Sequence, residues 1–357
     1  MREKFYTSQD GSIRLSEKDI THVCVAPCLF AFLQYLLLVD ENTAKYHTYY
    51  FFTDVIPESI HRRLASTCYV RKKDTNLITA IKKRLKKLHI AWFKSCTYPF
   101  LKTAHIYAFD FPVLCLYIGN RPYDLLSDAP GCITYNMQEN SEEYRRQMKL
   151  SGSLLGKIQK LLYGDVYVNY YGNNKWCKSI FLTEENISPV LNGKDVHIQS
   201  LDSLWDAASE SKRQFIMSLF DITDEDIKLL NSKPYLYFSQ PLREDCDLTD
   251  KEFSELLRRL FAHYDVNNIL VKTHPRDKFD YKAYFPDITV YTKPVNSQLL
   301  QLFGLKPKKV ITFFSSAVES FSDTVECDYY GVDIHPNVYA RYGAAYQPKR
   351  KVNRMKL

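Results

Sequence analysis

The feature that most constrains this chain is a repeated alternation of short apolar runs with helical stripes. In the second half, residues 235–238, 268–272, 287–291 and 309–314 are short runs rich in aromatic and β-branched residues, the composition of strands. Thr249-Asp250-Lys251-Glu252 has capping-box spacing, and Phe253, Leu256, Leu257, Leu260 and Phe261 then recur at helical steps. Residues 297–303 read as a further helix. The first half repeats the pattern. Residues 22–26 read as a strand, Pro27 breaks it, and residues 29–39 read as a helix. Residues 47–53 form the next strand candidate, and Pro57 is placed to open a helix at its first position. Over residues 76–88, Leu77, Ile78, Ile81, Leu85 and Leu88 form one stripe, with Lys82, Lys83, Arg84, Lys86 and Lys87 on the other side. The apolar runs 105–109 and 111–118, and residues 131–135, are further strand candidates. Residues 149–191 are rich in turn signals, and residues 201–230 read as helical. Strands alternating with helices imply parallel sheets covered by helices.

A chain of 357 residues exceeds one ordinary core, so two such domains are expected. Facing one another, they would enclose a central cleft, and ligands of open α/β sheets sit beyond the carboxyl ends of strands. The net charge of +7 attracts anions without choosing among nucleotides, nucleic acid and lipid. Nine scattered cysteines without a CxxC pair argue against a zinc site and for a reducing compartment. No leader is recognised at the N-terminus, and the apolar run at residues 23–39 is interrupted by Pro27 and Gln34, too short to span a bilayer. Walker, dinucleotide-loop, HExxH and GxSxG signatures are missing, and no DxD-like pair ends a strand; a metal-independent mechanism is expected.

The strand ends carry the candidate chemistry. Lys272-Thr273-His274-Pro275-Arg276-Asp277 places a histidine just past a strand, with Pro275 biasing it toward extended geometry. Such an imidazole can donate to a phosphate leaving group, and Arg276 can grip phosphate or carboxylate with two N–H groups. Lys272 reads as solvent-exposed. A turn histidine without a role explains the same residues equally well. Ser315-Ser316 opens a helix after the strand at 309–314, where hydroxyls and free N–H groups make a phosphate seat or a plain N-cap. Glu139, in Met137-Gln138-Glu139-Asn140 after the strand at Ile133, is a candidate general base or merely the acidic start of a helix. Asp245, in the polar loop 240–245, is the rival carboxylate, beside Glu244. The basic helix at Lys82–Lys87 reads first as a solvated face, then as a membrane-surface patch, and last as a nucleic-acid site, since no stacking motif accompanies it.

Three segments together carry a family resemblance: Ser239-Gln240-Pro241-Leu242, Val271 to Asp277 (VKTHPRD) and Thr312 to Ser320 (TFFSSAVES). The pattern resembles glycosyltransferase family 52, which holds bacterial lipooligosaccharide and capsule sialyltransferases. The resemblance implies an α/β, two-domain glycosyltransferase B fold with Rossmann-like parallel sheets. It implies an inverting, metal-independent transfer of sialic acid from CMP-sialic acid to a hydroxyl of a bacterial surface glycan, with no cofactor required. His274, Pro275, Arg276, Ser315 and Ser316 would hold the nucleotide phosphate, and His274 would also act in catalysis. The acidic-acidic-Gly motif of such enzymes corresponds here to Gln138-Glu139-Asn140, which keeps the central acid and replaces the glycine. Glu139 is therefore the implied base and Asp245 the second candidate. The expected division is an acceptor-side domain at residues 1–195, a helical connection at 196–232, a nucleotide-sugar domain at 233–340 and a basic tail at 341–357, read as loose over 347–356. The expected partners are a nucleotide sugar and a glycan acceptor, lipid-linked acceptors included, with peripheral contact to an anionic membrane and a homodimer left open and no specific nucleic acid. The expected location is the cytoplasm or the inner face of its membrane. Transfer from another activated donor, of glucose or of a glycerol-phosphate unit, and a non-catalytic nucleotide- or glycan-binding relative remain the alternatives.

Overall fold

The computed structural model describes residues 4–70, 77–110, 113–129, 131–274, 276–293, 295, 297–322, 324–343, 348 and 350–357. The chain divides into two compact units, Met1–Asp221 and Ile222–Leu357. Both are built on parallel sheets flanked by helices, consistent with a two-domain fold of the glycosyltransferase B kind.

The first unit opens with a small antiparallel pair, β1 (Phe5–Thr7) and β2 (Arg14–Ser16). Its main sheet holds β3 (His22–Ala26), β4 (Thr48–Thr53), β5 (Ser66–Tyr69), β6 (His105–Ala108), β7 (Tyr123–Leu125), β8 (Cys177–Leu182) and β9 (Asp195–Ile198). The spatial order is β5-β4-β3-β6-β7-β8-β9, and every pairing is parallel. The order reverses between β3 and β6. The sheet interior explains the apolar sequence of β4, whose six residues are all buried, as expected for a strand covered on both faces.

The second unit carries β10 (Tyr235–Phe238), β11 (Ile269–Lys272), β12 (Thr289–Tyr291), β13 (Lys309–Thr312), β14 (Glu326–Tyr329) and β15 (Asn353–Arg354). They run parallel in the order β12-β11-β10-β13-β14-β15, so the reversal falls between β10 and β13. The helix Asp250–Phe261 starts at the expected capping box, Thr249 with Glu252. It buries Phe253, Leu256, Leu257, Leu260 and Phe261 against the sheet, with the Phe261 ring edge-on to Tyr237 at 5.5 Å.

Several expectations are corrected. Residues 131–135 are not a strand: Gly131 takes a left-handed φ of 68° and the chain turns into the helix Cys132–Met137. Ile133 and Met137, one turn apart, are both buried, which satisfies a helical face as well as a strand. In the run at 111–118 the described part forms one helical turn, Cys115–Ile118, closed by Gly119 at a φ of 63°; residues 111–112 lie outside the described residues. The stretch at 201–230 is helical as expected, in three helices, Leu201–Ala207, Glu210–Leu219 and Asp224–Leu230, each started by its own cap at Ser200, Ser209 and Thr223. Residues 240–245 are not a loop throughout, because Leu242–Cys246 is a short helix. The described part of the basic tail does not run loose. β15 adds an edge strand to β14, and the Arg350 guanidinium donates to the carbonyls of Val318, Phe321 and Val325. No described helix is long and apolar enough to cross a membrane.

Candidate active site

In the second unit β10 is the central partner of both β11 and β13. Their carboxyl ends therefore lie on one edge of the sheet, at the place where strand order reverses and ligands of open α/β sheets sit. His274 follows β11, Ser315 and Ser316 follow β13, and Ser239 and Gln240 follow β10 between them. Two strand spacings of ~4.8 Å put the flanking strand ends roughly 10 Å apart, a span suited to one nucleotide.

The middle strand end stitches its two neighbours. The Ser239 hydroxyl oxygen accepts the His274 backbone N–H at 2.9 Å, and that hydroxyl donates to the Asp277 carboxylate. Asp277 also accepts from the Tyr281 hydroxyl at 2.8 Å and from the Phe279 N–H at 3.1 Å, while burial holds its pKa above the usual carboxylate value. On the other side the Gln240 side-chain oxygen accepts the Phe314 N–H at 3.0 Å. Ser239, Gln240 and Asp277 were not singled out from the sequence as site residues. Their signal was the SQPL and VKTHPRD segments, which carry them at two adjacent strand ends.

His274 is half-buried, and its Nδ1 accepts the Arg276 backbone N–H at 3.1 Å. That bond leaves the proton of a neutral ring on Nε2, where it can be donated. Burial first, then the cations of Arg276 and Lys272, hold the imidazole below its ordinary pKa of 6.5. Lys272 is not solvent-exposed: it is 3% exposed on the interior strand β11, and burial pushes its pKa down to about 8. Its ammonium donates to the Thr273 carbonyl at 2.8 Å. Pro275 lies outside the described residues.

Arg276 and Asp245 meet each other. The guanidinium makes two bonds to the Asp245 carboxylate, at 2.7 and 2.9 Å, and the Tyr342 hydroxyl adds a third at 2.9 Å. The Arg276 pairing holds Asp245 below the usual carboxylate range. So loaded, Asp245 is a weak proton acceptor, and Arg276 is already paired. The arrangement braces the 274–278 turn against the Leu242–Cys246 helix, with Glu244 accepting the Lys278 N–H at 3.1 Å.

Ser315 is the cap of the short 3-10 helix Ser316–Ser320: its oxygen accepts the Ala317 N–H at 3.2 Å, and its own N–H goes to the Thr312 hydroxyl at 3.2 Å. The capping reading of Ser315 therefore holds, while Ser316 is exposed beside it.

The first unit holds the remaining carboxylates. Glu139 is exposed in the turn after the Cys132–Met137 helix, so it follows a helix and not the strand expected at Ile133. Asp110, at the end of β6, is fully buried and raised to about 6 by that burial, yet both oxygens are committed, to the Tyr171 and Gly172 N–H groups at 2.7 and 2.9 Å and to the Tyr123 hydroxyl. Asp128, past the end of β7, differs. Its Oδ1 is buried without a hydrogen-bond partner, and burial raises its pKa. Its backbone carbonyl receives the Cys28 thiol, at the start of the Leu29–Leu38 helix after β3, at 3.9 Å. Sequence reading passed over Asp128 because β7 is only three residues long and contains Asp124, which hides it as a strand. Among the described residues no group of three or more His, Cys, Asp or Glu side chains is arranged to hold a metal ion.

Ser239→Ala leaves the half-buried Asp277 carboxylate and the His274 N–H each short of a partner. A loss of roughly 1–3 kcal/mol in stability is expected, read from urea denaturation.

The sequence model of glycosyltransferase family 52 matches residues 35–338 of this chain. The chain belongs to glycosyltransferase family 52. A Haemophilus influenzae relative of this family 52 chain, an uncharacterised protein, is 36% identical over 174 residues, a match that spans 48% of this chain and 56% of that protein. Among solved structures, a 2,6-sialyltransferase from a Photobacterium species, in a ternary complex with CMP and lactose, superposes with a TM-score of 0.54 at 8% identity, over 90% of this chain and 74% of that one. A sialyltransferase from Photobacterium damselae superposes with a TM-score of 0.52 at 11% identity, over 87% of this chain and 91% of that one. At such identities these likenesses concern the fold.

Proposed function

We propose that this family 52 chain is an inverting sialyltransferase that moves sialic acid from CMP-sialic acid to a hydroxyl of a bacterial surface glycan. One observation carries the reading: a neutral His274 with Nδ1 filled and Nε2–H available shares a sheet edge with Ser315 and Ser316. Family membership and the fold shared with two sialyltransferases, one of them holding CMP, support it.

In this mechanism the acceptor oxygen forms a bond to the anomeric carbon while the bond from that carbon to the CMP phosphate breaks. The electron pair leaves with the phosphate. His274 Nε2–H, the Ser316 hydroxyl and nearby backbone N–H groups stabilise the charge that develops there. Lys272 adds a buried cation whose charge is felt at the histidine. The acceptor proton goes to a carboxylate. Asp128 is preferred for this task over Glu139, because burial raises its proton affinity and one of its oxygens has no partner. Asp245, gripped by Arg276, is the weakest of the three. The acceptor is proposed to be a glycan of the lipooligosaccharide or capsule kind, met at the inner face of the cytoplasmic membrane.

The test is a donor screen with purified protein. CMP-sialic acid, UDP-glucose and an activated glycerol-phosphate donor are each offered with galactosyl acceptors, and nucleotide release is measured. Release of CMP dependent on acceptor is the expected result. Strict preference for another donor overturns the sialyl assignment, and binding of nucleotide with no release from any donor shows a non-catalytic relative.

A further inference from the structure

Two helices of the first unit, Leu77–Thr97 and Leu154–Tyr163, pack against each other, and the Trp92 indole N–H donates to the Leu162 carbonyl at 2.9 Å. Neither helix buries its apolar residues fully. On the shorter one, Leu154, Ile158 and Leu161 recur at steps of four and three and so share a face; Leu154 is 76% and Leu161 82% exposed. On the longer one, Ile81, Leu85 and Trp92 share a face, with Leu85 60% and Trp92 63% exposed. Of the eighteen exposed large hydrophobic residues among the described ones, eight lie on these two helices: Ile81, Leu85, Trp92, Phe93, Leu154, Leu155, Ile158 and Leu161. Clustering of that kind marks a surface made to be covered.

The charge on the same helices is of one sign. The longer carries Lys82, Lys83, Arg84, Lys86, Lys87 and Lys94, the shorter Lys157 and Lys160, and neither carries an Asp or Glu. Lys82, Arg84, Lys86 and Lys157 are exposed beside the apolar stripes. A pocket of 620 Å³ opens next to this face, with Lys87, Arg146 and Lys149 among its lining residues. We propose that this face docks the enzyme on an anionic lipid bilayer, its leucines and Trp92 entering the headgroup boundary and its lysines meeting lipid phosphates. Exposed apolar residues flanked by lysines are the chemistry of an interfacial helix. Each basic residue held near an anionic surface strengthens binding severalfold. A second copy of the chain is the poorer occupant: a two-fold contact would set the exposed Lys82, Arg84, Lys86 and Lys157 of one copy against the same cations of the other. The face stands apart from the donor assignment, since none of its residues belongs to the proposed transfer site.

The full chain is tested by flotation with vesicles of phosphatidylglycerol and phosphatidylethanolamine, and with vesicles of phosphatidylcholine alone. Binding to the anionic vesicles is expected to be at least about tenfold tighter and to weaken as salt is raised. Leu154→Glu with Leu161→Glu, and separately Lys82→Glu with Lys86→Glu, are each expected to weaken it at least about tenfold. Circular dichroism and nucleotide release from the soluble donor should stay as in the parent. Equal binding to both vesicle types, or parent-like binding by both variants, overturns the proposal. A parent dimer that Leu154→Glu with Leu161→Glu splits into monomers also overturns it, by showing the face to be covered by a second copy.

Discussion

His274→Ala is expected to lower turnover with CMP-sialic acid by at least about 100-fold, close to 3 kcal/mol of transition-state stabilisation. The reason lies in which nitrogen carries the proton. Arg276 donates its backbone N–H to Nδ1, so the neutral ring keeps its hydrogen on Nε2. Burial and the neighbouring cations of Arg276 and Lys272 keep the ring neutral near pH 7 by holding its pKa below 6.5. A depressed histidine pKa means that the folded state binds fewer protons than the unfolded one. Its contribution to stability is present above 6.5 and is lost as pH falls through the folded value. Separately, His274 is only half-buried and the Arg276 N–H that it accepts is exposed and can turn to water, so the alanine variant is expected to stay folded at neutral pH with the circular dichroism of the parent. His274→Gln, which keeps an N–H donor at the position of Nε2, should recover part of the lost rate. Turnover of the alanine variant within threefold of the parent would remove His274 from the chemistry.

Asp128→Asn is expected to cost about 100- to 10,000-fold in turnover, the range for a positioned general base. Its second signature is of opposite sign. Burial raises the carboxyl pKa, so the folded state binds more protons than the unfolded one, and stability from this group is complete only below the ordinary value of 3.8 and declines as pH rises through the folded value. At pH 7 the ionised carboxylate is a burden that asparagine does not carry. The variant should melt higher than the parent while turning over far more slowly. In the parent, kcat/KM should fall as pH drops through the raised pKa, and this limb should vanish in Asp128→Asn. Glu139→Gln, at an exposed turn, should keep the limb. If Glu139→Gln loses activity and Asp128→Asn does not, the base is Glu139.

Much of the second unit was legible from local pattern. The capping box at Thr249, the apolar stripe from Phe253 to Phe261 and the strands before His274 and Ser315 all depend on residues within one or two turns of each other. The first unit was harder. β5, β7 and β9 are only three or four residues long, and β9 buries none of its residues fully, so neither length nor alternation announces them. The helix Cys132–Met137 was mistaken for a strand because a run of six residues fits either period, and the left-handed Gly131 that tips it into a helix is a tertiary outcome.

Sequence alone determined that strands and helices alternate, and that an imidazole and a pair of hydroxyls follow two of the strands, because propensity, caps and periodicity act between near neighbours. Only the tertiary structure decided that β10 lies between those two strands, that Ser239 holds the His274 backbone from 35 positions away and that Arg276 is spent on Asp245. Strand order and desolvation arise from contacts between residues far apart in the chain. The proton affinity of Asp128 and the burial of Lys272 therefore belong to the fold and cannot be read from the letters beside them.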